Sequence, residues 1–124
     1  MPLYMTTVVG PENQGQPPQA MFDAIDQLTQ EGMKQGVLVS FGGLLPTARG
    51  ARGTLEDGKI VITDGPFAEG KEVLGGWAIY DLPNLEAVKA WMKKFLDLHA
   101  KHWPAFRGTV EIREIHGMEV VKPR

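Results

Sequence analysis

The sequence predicts an α+β domain, a ferredoxin-like βαββαβ sandwich with an inserted β-hairpin. Three observations predict it. Two segments, Gln19–Gln35 and Asn84–Trp103, repeat their apolar residues at helical spacing. Strand-like runs rich in β-branched and aromatic residues flank each of them, so that both halves read strand, helix, strand. Between the halves, Asp57-Gly58 separates two short stretches and is the strongest short hairpin signal available.

Each element has its own justification. Leu3–Val9 is short, β-branched and aromatic, a first strand. Gly10–Pro18 carries Gly and Pro throughout and reads as a loop, with Pro18 suited to a helix start. In the first helix Met21, Ile25, Leu28 and Gly32, with Phe22 and Met33 beside them, form the apolar side, and Gly36 marks its end. Val37–Leu45 is the second strand, where Gly42-Gly43 predicts a bulge or a close backbone approach. After the loop Pro46–Gly50, the hairpin arms are Ala51–Glu56 and Lys59–Thr63, with Glu56 and Lys59 placed to pair across the turn. Val73–Leu82 is a strand broken at Gly75-Gly76. Asn84 caps the second helix, whose stripe is Val88, Met92, Phe95 and His99 joined by Leu85, Trp91 and Leu96, and Pro104 stops it. Thr109–Ile115 alternates as the last strand, followed by a tail in which Met118, Val120 and Val121 are apolar.

Two helices cover one face of a sheet. Yet the first strand is apolar at both parities (Tyr4 and Val8; Leu3, Met5 and Val9), and so is Trp77-Ala78-Ile79-Tyr80. A sheet buried on both faces needs a second cover. A second copy of the chain, sheet against sheet, supplies it, so a homodimer is expected.

Composition bounds the rest. The 124 residues make one domain, 1–124, with 43% hydrophobic and 23% charged residues, a soluble globular profile. A net charge of −2 and thinly spread Lys and Arg argue against nucleic-acid binding. Cysteine is absent, which excludes disulfides, thiolate catalysis and Cys-based zinc sites. The start, MPLYMTTVVG, lacks the features of a signal peptide, and no run approaches the ~18 apolar residues of a membrane span. A cytoplasmic protein without membrane association is expected.

Chemistry centres on Asp64–Tyr80, DGPFAEGKEVLGGWAIY. Asp64 opens a turn with Gly65 and Pro66, and Phe67 returns to apolar packing. Asp64 then serves its own turn as a hydrogen-bond acceptor or, held against Phe67 and Trp77, works as an acid, base or ligand anchor. Glu69, Lys71 and Glu72 are either solvated surface or residues reaching over a cavity mouth. His99 and His102 share a helix face, as core or capping residues or as partners of Asp64 in an acid–base pair. One such pair without further ligands predicts no metal site. The double glycines precede no helix and match no phosphate loop. Trp77, Tyr80, Trp91, Phe95 and Trp103 are core, with some walling a small-molecule cavity.

The run DGPF, AEGKE and LGGW, with strands from Tyr4 to Val110–Arg113, resembles the DGPF branch of the YCII-related family. That resemblance implies a dimeric α+β barrel and no agreed reaction or cofactor. The positions that match it, Asp64, Gly65, Pro66 and Phe67 with Lys71, Gly75 and Gly76 nearby, are the expected ligand-binding lining together with Trp77, and Asp64 is in addition the catalytic candidate read above from its neighbours. Related proteins pair a His in the first βα loop or helix with an Asp, but Gly10–Gly36 here holds no His. Barrel dimers of this type include isomerases, monooxygenases and muconolactone-type enzymes, so an unidentified small-molecule ligand is expected in a pocket near the DGPF turn. The branch is also associated with extracytoplasmic-function sigma factors, which implies the alternative of a non-enzymatic regulatory partner.

Overall fold

The structure, a computed structural model, describes residues 2–67 and 72–119. Glu69, Lys71, Val120 and Val121 lie outside the described residues. The elements are β1 (Leu3–Pro11), α1 (Gln19–Lys34), β2 (Leu38–Gly43), β3 (Ala51–Glu56), β4 (Lys59–Asp64), β5 (Glu72–Asp81), α2 (Leu85–His102) and β6 (Thr109–Glu114). A single 3-10 turn, Thr47–Arg49, sits between β2 and β3.

Four strands form one antiparallel sheet in the order β2-β5-β1-β6. Each βαβ half leaves a gap of one strand, and a strand of the other half fills it. That interleaving is the ferredoxin-like fold. The β3–β4 hairpin is a separate two-stranded sheet, turned by Asp57 (φ 51°) and Gly58 (φ 76°). Positive φ at both central residues matches the strand twist, as Asp-Gly predicts. Glu56 and Lys59 are register partners.

The glycines do the work their positions suggested. Between Val8 and Val9 the β1–β5 register skips Gly75, which is therefore the bulge residue. At Gly42 a Cβ would run into the Trp77 indole, so this glycine lets the ring lie flat across β2. Gly36 (φ 72°) closes α1.

One end of the sandwich is tightly closed. Tyr4, Leu28, Tyr80, Leu82, Val88 and Trp91 form the core cluster there, with Val88 fully buried. The helices approach through Gly32, where a Cβ would sit 3.2 Å from Leu38 and 3.7 Å from the Trp91 ring. Lys94 spans them, 2.8 Å from Glu31 and 4.6 Å from the Trp91 ring. The α1 stripe differs in detail from the pattern expected: Ala24 is buried, whereas Phe22 and Met33 are about half exposed. Residues 21, 24, 28 and 32 face the sheet, and a bulky ring at 22 falls to the flank. Leu85 likewise stays partly exposed at the first turn of α2, capped by Asn84 through the Ala87 N–H (2.9 Å).

By register, Tyr4, Thr6, Tyr80 and Ala78 share the helix-covered face, and Met5, Thr7, Ile79 and Trp77 share the other. None of the described helices is long and apolar enough to cross a membrane.

Candidate functional site

At the other end the sandwich stays open. A cleft of about 660 Å³ separates α1 and the later turns of α2 from the sheet, and its inner end reaches Leu28, Gly32 and Trp91 at the border of the core cluster. Its apolar wall includes Met21, Ile25, Met92 and Val110, and its ring wall includes Phe22, Phe41, Phe95, Trp103 and Phe106.

The β1–α1 loop forms the mouth and is pinned on two sides. The Gln14 amide donates to the Arg107 carbonyl (2.7 Å) and accepts from the Arg107 N–H (2.7 Å), tying the loop to the segment before β6. Gly10 admits this clamp, because a Cβ there would press on the Arg107 carbonyl. On the other side, the Glu12 carboxylate accepts from both the Thr47 N–H and the Thr47 hydroxyl. A smaller cavity of about 170 Å³, bordered by Glu12, Thr47 and Leu74, adjoins this mouth.

His99 is the polar centre of the cleft. It is 8% exposed. Its Nδ1 donates to the Phe95 carbonyl, an i−4 acceptor 2.9 Å away on the same helix, which leaves Nε2 with the lone pair. Among the described residues Nε2 has no hydrogen-bond partner. The Phe95 and Phe106 rings each lie 4.4 Å from the imidazole and Trp103 lies 6.3 Å away. Gly108 makes room for Phe106, whose ring edge lies 2.5 Å from where a Cβ would be. Burial in this aromatic nest lowers the His99 pKa from its ordinary 6.5, and the Phe95 carbonyl opposes the shift only in part. The ring is therefore neutral at pH 7, an acceptor. Tyr80 also borders the cleft, and burial raises its phenol above the ordinary 10.0.

The residues singled out from sequence divide into two groups. Gly75, Gly76, Trp77 and His99 line the cleft. The DGPF turn lies elsewhere. Asp64 is exposed at the end of β4, and among the described residues no hydrogen bond reaches its carboxylate. Gly65 donates to the Gly50 carbonyl (2.9 Å) and packs so closely on the Thr47 carbonyl that no Cβ fits. A cis peptide joins Gly65 to Pro66, and Pro66 is exposed. The Phe67 N–H donates to the Thr47 hydroxyl (3.4 Å), and the Arg52 guanidinium sits 4.2 Å above the Phe67 ring. None of these four residues borders either cavity. His102 is partly exposed and absent from the cleft wall, and His116 is exposed.

Glu12, Gln14 and Phe106 carry the mouth and the histidine nest, and no motif pointed to them. The available signal was generic: polar residues in a Pro- and Gly-rich loop between a strand and a helix. Among the described residues, no three His, Asp or Glu side chains gather as a metal-binding group.

The family model of the YCII-related domain matches residues 3–119, nearly the whole chain. The chain belongs to the YCII-related family. Among curated proteins, no sequence matches it. For this YCII-related protein, family membership accounts for the α+β architecture, and any chemistry has to come from the cleft just described.

Proposed function

We propose that this YCII-related protein binds a small, mostly apolar molecule in the cleft between its helices and its sheet, oriented by His99. The observation that carries the reading is a largely apolar space of about 660 Å³ bordered by one neutral, buried imidazole whose acceptor nitrogen has no partner among the described residues. Apolar walls with a few placed polar groups are the usual form of a small-molecule site. A backbone carbonyl, not a carboxylate, holds Nδ1. An imidazolium formed there gains little from a neighbouring charge, so the geometry favours accepting a hydrogen bond over strong general-base catalysis.

In this reading the chain is of the DGPF branch, and its DGPF turn is a brace. Phe67 and Gly65 pack on Thr47, and Thr47 holds Glu12 at the cleft mouth. A homodimer belongs to the same proposal. Leu3 and Met5 lie on an apolar sheet face that a second copy would cover.

Fragment screening by NMR tests the site, with the Trp91 and Trp103 indole N–H signals as reporters. Apolar fragments are expected to shift both. Hits that move only Asp64–Phe67 would transfer the site to the DGPF turn and end this reading.

A further inference from the structure

We infer that the cleft selects an uncharged, ring-bearing molecule with one hydrogen-bond donor, an O–H or N–H that His99 Nε2 accepts. This rests on the small-molecule reading above and sharpens it to a ligand class.

The argument is an inventory of the polar groups on the wall. Gln14 is spent on Arg107 and Pro11. The Thr29 hydroxyl donates to the Ile25 carbonyl (2.8 Å), and the Thr6 hydroxyl to the Ala78 carbonyl (3.4 Å). Glu12, the one carboxylate bordering the cleft among the described residues, has both oxygens on Thr47. Besides the neutral indole N–H donors of Trp77, Trp91 and Trp103, two side-chain groups of the wall remain without a partner among the described residues, His99 Nε2 and the Tyr80 hydroxyl. Both are uncharged near neutral pH.

No Lys or Arg among the described residues lines this space. A ligand carboxylate or phosphate would lose its hydration there without gaining a cation, a large uncompensated cost. A neutral donor meets the opposite situation, because the imidazole acceptor stands between rings at 4.4 Å on which a flat ligand stacks. A ligand without the donor leaves Nε2 unpaired in an apolar setting, and that asymmetry is the basis of selection.

Three probes with one skeleton test it by calorimetry on the full chain at neutral pH: naphthol, its methyl ether and naphthoate. Naphthol is expected to bind about tenfold more tightly than the ether, the loss typical of one missing hydrogen bond. Naphthoate is expected to bind weakest. His99→Phe, which keeps the ring wall, should bring naphthol and the ether level. Naphthoate binding as tightly as naphthol, or the ether matching naphthol on the unaltered chain, overturns the inference and leaves a small-molecule cleft standing. If none of the three shifts the Trp91 and Trp103 indoles, the small-molecule reading falls, and the ligand class with it.

Discussion

The two ends of the helix–sheet sandwich are built from the same helices and strands, yet one is filled and the other is hollow. At the filled end Tyr4, Leu82 and Val88 pack together, with Val88 fully buried, and Gly32 marks the border with the cleft, where α1 approaches Leu38 and Trp91. At the hollow end larger residues at the start of α1, among them Phe22, hold their side chains around a space of about 660 Å³. Stability resides at the first end and recognition at the second. A small residue at the helix contact closes one end. Loop staples from Glu12 and Gln14 keep the other in shape without filling it.

Substitutions along one helix break this contrast most sharply. Leu28→Ala, in the buried core cluster where it borders the inner end of the cleft, is expected to cost about 2–5 kcal/mol in urea unfolding, the range for a buried leucine. Ile25→Ala, one turn away and only half-buried beside the cleft, should cost less than half as much. Equal costs would show that the cleft is packed as a core.

Gly32→Val addresses the contact that separates the two ends. Overpacking against Leu38 and Trp91 should destabilise by about 1–3 kcal/mol. An unchanged urea midpoint would mean that the helices spread without penalty.

At the hollow end, Gln14→Ala removes both bonds to Arg107. About 1 kcal/mol of stability should go, together with hydrogen-exchange protection of the Arg107 amide. Protection retained at wild-type level would mean the loop is held by other contacts.

The smallest effect is pH dependence at His99. Burial lowers its folded pKa below 6.5, so in that window the unfolded chain binds a proton that the folded chain refuses. Stability contributed by the neutral ring is complete above the unfolded value. It falls as pH drops through it, and the loss levels off below the folded pKa. Between about pH 7.5 and about pH 5.5 the melting temperature should therefore decline more in the wild type than in His99→Phe. Parallel declines would remove the buried, neutral imidazole.

Much of the fold was legible because its signals are local. Asp57-Gly58 can take the positive φ angles of the hairpin turn, Gly36 can end α1, and Asn84 can cap α2, whatever the rest of the chain does. The break read at Gly75-Gly76 became a bulge, since a strand lacking a side chain there tolerates an extra residue. Phe22 shows the limit of periodicity. The repeat marked it as apolar, but whether that flank met protein or open cleft depended on how far α2 stood away.

The candidate site was less legible, and the DGPF turn shows why. A carboxylate beside glycine, proline and phenylalanine reads as chemistry when sequence neighbours are taken for spatial ones. In three dimensions Gly65 and Phe67 pack on Thr47, and Asp64 is exposed at the end of β4, away from both cavities. The contacts that shape the cleft join Glu12 to Thr47 and Gln14 to Arg107, pairs 35 and 93 residues apart.

By itself the sequence determined the order of elements and their caps and turns, because these follow from backbone freedom and the period of apolar residues. Tertiary structure alone decided that one end would pack and the other stay hollow, and that His99 rather than Asp64 would face the hollow. The physical reason is that burial, and with it the charge state of an imidazole, is set by side chains brought together from distant segments.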